Sequence, residues 1–469
     1  MNTEKKEKGL NVSTRSFITA IIVIFALMVL TYVLTLIVPA GEFQRVEDAN
    51  GNLIIESVDR FTYVDGGIPF WKWLLSPFLV LGASGNGALI AVIAFLLVIG
   101  GIFNSLDKCG LIKYMLGKLT HRFGAVKYRL MAILILFFMA LGAMVGSFEE
   151  CVPLVPIVVA LAIKLGWDPL TGITMSMLAV GCGFASGVCN PFTVGVAQQL
   201  AGLPMFSGIP MRLLAFVLIY ALLLGFTVLY AKKIERKADN TDFSDEFVPD
   251  KKLDKALFAF AIILGVGILT VVSSGFIPAL QSLTMIIVAV TFLAAGITAS
   301  LLSGMGGKAL GKTSLDGVLT ILPAVVMILM ASSIKYTMEE AQIMDTVLHG
   351  AVDLADSLPR PCVILFIYLI VLLMNFFIPS GSAKAFMLIP LIVPMAQLFD
   401  ISAQLCVMAF AFGDGFSNVI YPTNPALLIS IGLADVSYPK WFKHSIKFQL
   451  PNLVLTSLLL LLGLAIGYQ

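Results

Sequence analysis

Two Asn-Pro pairs, Asn190-Pro191 and Asn424-Pro425, each close a stretch rich in glycine and small polar residues. The first reads Gly181-Cys182-Gly183-Phe184-Ala185-Ser186-Gly187-Val188-Cys189-Asn190-Pro191-Phe192-Thr193. The second reads Gly413-Asp414-Gly415-Phe416-Ser417-Asn418-Val419-Ile420-Tyr421-Pro422-Thr423-Asn424-Pro425. Glycine favours unwinding, and proline inside a helix removes a hydrogen bond at a cost of about 3 kcal/mol. Carbonyls freed in this way can hold a cation, and freed amides at a helix start can hold a carboxylate. Two further segments join small hydroxyl residues to charge. They are Gly146-Ser147-Phe148-Glu149-Glu150 and Pro379-Ser380-Gly381-Ser382-Ala383-Lys384. Glu149, Glu150, Lys384 and Asp414 form the candidate ionisable set. A plainer alternative is that Lys384 pairs with Glu149, Glu150 or Asp414 only to neutralise it, and that each break is a simple kink.

The surroundings of these residues are apolar. Of 469 residues 59% are hydrophobic and 12% charged, with a mean hydropathy of +0.99. Soluble chains carry about 25% charged residues, so a soluble enzyme is excluded, and so is disorder. Apolar runs lie near 17–39, 86–106, 128–146, 150–166, 171–197, 211–231, 256–276, 282–303, 315–336, 361–379, 383–399, 403–430 and 448–467. About ten of them reach the 18 residues needed to cross ~30 Å of hydrocarbon. The pattern is that of an all-α polytopic membrane protein; a β-barrel would alternate in ten-residue segments. The six cysteines form no C-x-x-C pair, and the three histidines no H-E-x-x-H, so no metal-hydrolysis centre and no cofactor is expected. Trp71, Trp73 and Trp441 read as aromatic anchors at membrane ends.

Reading 128–146 with 150–166, and 361–379 with 383–399, as re-entrant hairpins leaves about nine full spans. The segments then placed in the cytoplasm (1–16, 107–129, 232–255, 304–314 and 431–447) hold 22 Lys and Arg, against six outside. That bias puts the N-terminus inside and the C-terminus outside a cytoplasmic membrane. The outer loops 41–70 and 337–359 are acidic. Leu111-to-Arg122 and Ala341-to-Asp356 are amphipathic and read as interfacial arms.

A shift of 234 residues superposes Leu154 on Leu388, Pro156 on Pro390, Val159 on Val393, Ala162 on Ala396, Gly181 on Gly415, and Asn190-Pro191 on Asn424-Pro425. One hairpin opens inward and the other outward, so the halves read as inverted repeats, 1–231 and 256–469, joined by a charged linker, 232–255. Opposed hairpins meeting paired helix breaks near the midplane are the sequence signature of a secondary transporter. An ion channel would want a filter-like repeat. An intramembrane aspartyl protease would need a second aspartate besides Asp414.

Several stretches resemble the C4-dicarboxylate anaerobic carrier (DcuC/YfcC) family of the ion transporter superfamily, the YfcC branch most closely. They are Val38-Pro39-Ala40-Gly41-Glu42-Phe43, Asn190-Pro191-Phe192-Thr193-Val194-Gly195 with Ala197-Gln198, Phe377-Ile378-Pro379-Ser380-Gly381-Ser382, and, most specific, Phe412-Gly413-Asp414-Gly415-Phe416-Ser417-Asn418. The resemblance implies a secondary transporter, not an enzyme, working by an elevator-type mechanism, usually as a homodimer. Carried over by position, it implies sodium at Ser147 with Asn190, and at Ser380 and Ser382 with Asn418, Thr423 and Asn424, so Na+ or H+ is the expected coupling ion. Lys384 stands where a neutral residue is often seen, and an ammonium can replace a bound sodium. The expected substrate site comprises Ser147, Glu149, Glu150, Asn190, Thr193, Ser380, Ser382, Lys384, Asp414, Asn418, Thr423 and Asn424. Three carboxylates against one lysine favour an amino acid, possibly a basic one moved by antiport; a C4-dicarboxylate or other organic anion is the alternative.

Overall fold

The computed structural model describes residues 14–469 except 48–52, 56–59, 84–86, 124–125, 145, 147, 205, 236–247, 275–283 and 356–357. Apart from the two breaks, the apolar runs are mainly helix among the described residues. Thr14–Ile37, Gly87–Lys108, Ile209–Glu235, Lys251–Ser274, Thr284–Leu302, Gly307–Glu340 and Tyr438–Ile466 carry the runs read as unbroken spans. Among the described residues, five helices are long and apolar enough to cross a membrane by length and composition, or six with the bent Gly307–Glu340 helix. Ile209–Glu235 is 22% buried and shows Leu213, Val217 and Leu229 outward, whereas Pro169–Ser186 is 94% buried. An apolar side chain facing outward on a long helix suits lipid as its solvent. Helix continues to Glu235 and resumes at Lys251.

The two expected hairpins fold back on themselves. Lys127 begins the first arm, Lys127–Met144, and its ammonium reaches Glu235 at 2.8 Å and the Leu165 carbonyl at 3.4 Å. Trp167, just past the returning helix Val155–Lys164, donates to the same Glu235. Both hairpin ends therefore meet at the end of the long helix that carries Glu235. In the second hairpin, Arg360 opens the arm Arg360–Phe377 and donates to the Asp400 carbonyl at 2.6 Å, beyond the returning helix Gly381–Gln397. That end adjoins Ser402, which donates to the Tyr468 carbonyl, and the Tyr468 hydroxyl donates to the Gly208 carbonyl at 2.6 Å. Gly208 precedes the other end of the Glu235 helix, so the hairpins open at opposite ends of the bundle. A hairpin that returns to its own end leaves every loop on its original side.

Short strands in the loop after the first helix were not legible. Gly41–Phe43 (β1) pairs with Phe61–Tyr63 (β4), and Arg45–Glu47 (β2) with Leu53–Ile55 (β3), both antiparallel. Three-residue strands leave too little alternation to read. The Asp345 carboxylate holds this loop in place, accepting from the Phe43 amide at 3.0 Å and pairing with Arg45 at 2.7 Å. Two tryptophans correct the expectation of interfacial anchors. Trp73 is buried and donates to the Met28 carbonyl, and Trp441 is fully buried and donates to the Val419 carbonyl at 2.8 Å. Each indole N–H finds a partner inside protein, so neither ring is turned out toward lipid headgroups.

Candidate functional site

Both breaks have the same local cause. Asn424 caps the helix Pro425–Leu433, its Oδ1 accepting from the Ala426 and Leu427 amides at 2.9 and 3.4 Å. Asn190 Oδ1 accepts from the Thr193 amide at 3.2 Å at the start of the helical residues 191–200. In each Asn-Pro pair the asparagine supplies the cap and the proline fills the first helical position, where no N–H is needed. Before the first break, Gly187 takes the left-handed conformation (φ 55°) and ends the helix Ala179–Ser186.

Glycines bring the broken helices together. A Cβ on Gly415 would lie 2.4 Å from the Ala185 Cα, and one on Gly181 would lie 2.3 Å from Val419 Cγ1. The hairpin arms close on the same helices, with Gly183 against the Met139 carbonyl and Gly413 against Val371. The tips reach the breaks. Gly146 (φ +73°) leaves no room for a Cβ, which would fall 1.9 Å from Asn190 Oδ1. A Cβ on Gly381 would fall 2.4 Å from Thr193 Cγ2 and 2.5 Å from Asp414 Oδ2, so the second tip touches both breaks at once.

The second break holds a closed polar network around one ion pair. Lys384 Nζ and Asp414 Oδ1 are 2.6 Å apart, and both residues are wholly buried. Lys384 also donates to Asn375 Oδ1 and to the Ile378 carbonyl. Asn375 Nδ2 donates to Ser417 Oγ at 2.7 Å and to Asn418 Oδ1 at 3.1 Å. Asn424 Nδ2 donates to Asn418 Oδ1 at 2.9 Å, and Asn418 Nδ2 donates to Asp414 Oδ1 at 3.2 Å. The side-chain oxygens of Asn418 and Asn424 each accept two N–H groups, so neither has a lone pair left for a metal ion. Lys384 instead occupies a position bounded by three oxygens. Asp414 Oδ2, Thr193 Oγ1 and Thr423 Oγ1 are buried without a hydrogen-bond partner among the described residues.

The expected residues separate on this geometry. Lys384, Asp414, Asn418 and Asn424 form one network, and Thr193 meets it through Gly381. Asn190 lies at the first tip. Thr423 is buried beside Asn424, Ser380 is exposed as the cap of Gly381–Gln397, and Ser382 is half-buried. Ser147 lies outside the described residues. Glu149 and Glu150 are described only as backbone, in the 3-10 turn Glu149–Leu154. Three residues were missed. Asn375 was readable as a lone amide in an apolar arm, and Ser417 as part of the quoted motif. Arg212 resembled an ordinary charge at a span end, yet it is 1% exposed.

Helices with outward apolar faces around a buried polar centre define a membrane transporter class, and the comparisons agree. The sequence matches the C4-dicarboxylate anaerobic carrier (DcuC) family over residues 17–465, and the chain belongs to that family of membrane transporters. It is 30% identical over 386 residues to an Escherichia coli (strain K12) protein provisionally named a basic amino acid antiporter, YfcC, covering 77% of this chain and 74% of the relative. A Haemophilus influenzae protein is 22% identical over 521 aligned positions, covering 99% and 97%. Among solved structures, the Alcanivorax borkumensis YdaH transporter aligns with a TM-score of 0.47 at 18% identity, covering 96% of this chain and 99% of that one.

Proposed function

We propose that this chain is a secondary active transporter that moves a small carboxylate-bearing metabolite, foremost an amino acid, across the cytoplasmic membrane by alternating access. The carrying observation is the Lys384–Asp414 pair, which ties the second hairpin to a broken helix while Asp414 Oδ2 remains an unused acceptor beside Thr193. A buried carboxylate oxygen with no donor is costly unless something supplies one, and a substrate ammonium is such a donor. The family's name supports the alternative of a C4-dicarboxylate, and the name of the Escherichia coli relative supports a basic amino acid exchanged by antiport.

The inverted-repeat reading gains support from which elements touch. The repeat-related helices Gly87–Lys108 and Gly307–Glu340 pack together, as do the two broken helices, and as do Ile209–Glu235 and Tyr438–Ile466. Such self-pairing is what a twofold relation produces. A separate cluster around Phe103, Phe260 and Phe292 joins Gly87–Lys108, Lys251–Ser274 and Thr284–Leu302. In this reading it is the scaffold, the part that would dimerise, and the hairpins with the breaks are the moving body. The tips stop at the breaks while residues 191–200, about 15 Å of helix, continue beyond. That favours hairpins ending at partial depth, nine full spans, a cytoplasmic N-terminus and an outer C-terminus.

Lys384 acts as a resident cation in place of sodium at the second break, so coupling there falls to protons or to exchange. Uptake of radiolabelled L-arginine and of succinate into proteoliposomes tests the whole reading. The expected result is saturable flux of one of them, abolished by Asp414→Asn with folded protein retained, and insensitive to collapse of the sodium gradient. Full transport by that variant would overturn the assignment of the site.

A further inference from the structure

Arg212 lies four residues into the helix Ile209–Glu235 and is 1% exposed. No Asp or Glu among the described residues pairs with it. Its one hydrogen bond there is a long one, Nη2 to the Val188 carbonyl at 3.5 Å, and its Nε has no partner. The Tyr468 hydroxyl and the Cys189 thiol lie near its charge. Val188 and Cys189 belong to the first break and are partly exposed where the guanidinium arrives. Residues 181–193 contain no acidic side chain. Two helix N-termini, at Ile209 and at residue 191, add positive potential to the same region.

We propose that Arg212 and the first break form a carboxylate-binding subsite, the anionic counterpart of the Lys384–Asp414 centre. A guanidinium kept out of water without a counter-charge is strongly unfavourable unless it serves an anion, and its flat fork of N–H donors matches a carboxylate. The proposal rests on the transporter reading. It supplies the second cation that a carboxylate-bearing substrate requires and that Lys384, engaged by Asp414, cannot be.

Cys189 gives a test that needs no knowledge of the substrate. In the full chain with Cys109→Ser and Cys362→Ser, the remaining cysteines other than Cys189 are buried. Labelling of Cys189 is timed with the anionic reagent 2-sulfonatoethyl methanethiosulfonate and with its cationic trimethylammonium counterpart. The anionic reagent is expected to react about tenfold faster relative to its rate on a free thiol, as field focusing predicts. Arg212→Lys should keep that preference, Arg212→Gln should erase it, and millimolar succinate or L-arginine should slow the anionic reaction only while residue 212 is cationic. Equal rates in the parent, an unchanged ratio in Arg212→Gln, or no labelling of Cys189 by either reagent would overturn the subsite. Asp414→Asn uptake tests transport without touching Arg212, and the labelling needs no transport, so the two failures are distinguishable.

Discussion

The two breaks share a backbone plan and differ in charge. Each has an Asn cap, a Pro at the first helical position, a glycine-lined crossing and a hairpin tip resting on it. The second break encloses an ion pair in a network that leaves Asp414 Oδ2 and Thr423 Oγ1 unmatched, whereas the first holds an asparagine, a threonine with a spare hydroxyl and, close by, a guanidinium without a counter-charge among the described residues. A closed network rigidifies its element and resists rearrangement. An unmatched charge marks a place where the missing partner is expected to come and go. The comparison assigns carboxylate capture to the first break and leaves the second, closed except at Asp414 Oδ2, to meet the substrate's ammonium.

The largest effect should come from Lys384, the buried cation of the second break. Lys384→Met leaves Asp414 ionised and alone, which costs about 3–5 kcal/mol for a buried pair. The double variant Lys384→Met/Asp414→Asn should recover most of that stability without recovering transport. Arg212→Met removes a charge that no carboxylate among the described residues balances, and is expected to leave unfolding in detergent unchanged or shift it upward. Thermal unfolding of the four proteins checks this, and a loss for Arg212→Met as large as that for Lys384→Met would erase the distinction between the breaks.

Next in size are the glycine contacts. Gly183→Ala sets a Cβ 1.9 Å from the Met139 carbonyl, and Gly415→Ala sets one 2.4 Å from the Ala185 backbone. Neither neighbour is a flexible side chain that could yield, so the helices must part. About 1–3 kcal/mol is expected for each, in the range of overpacked cores. Equal losses would show that the first hairpin arm and the opposite broken helix pack equally tightly at these glycines.

The caps follow. Asn-to-Ala at a cap costs about 0.5–2 kcal/mol. Asn424→Ala should fall at the upper end, because it also removes a donor to Asn418, and Asn190→Ala should fall at the lower end. Chemical denaturation of the two variants orders them, and the reverse order would mean that Asn190 contributes more than a cap.

How much of this was legible depended on how local each signal was. Helices, hairpins and both breaks were readable because run length, Gly and Pro act within a few residues. Asp414 and Lys384 stood out because charge is rare in an apolar run. What could not be read was pairing at a distance. Lys384 had three candidate carboxylates, and only the fold brings it to Asp414. Arg212 looked the same as a charge resting at a membrane surface, because burial depends on neighbours far away in sequence. The asparagines were read as ligands, but their oxygens largely serve amides, since an Asn-Pro step at a helix start satisfies its own backbone first.

Ser380 gives the smallest effect and separates these roles at the second tip. Its hydroxyl accepts from the Ala383 amide at 3.5 Å, and the residue is exposed, so as a cap it contributes little. Ser380→Ala should therefore change stability by no more than about 0.5 kcal/mol, as exposed substitutions do. If the tip meets substrate, the same variant should raise the KM for uptake several-fold, because the hydroxyl stands one residue from Gly381, where the tip touches Thr193 and Asp414. Kinetics of uptake at matched protein density decide it. Unchanged KM with unchanged stability would confine the second tip's role to the close backbone approach of Gly381, and would leave the first break as the part of the site that recognises the cargo.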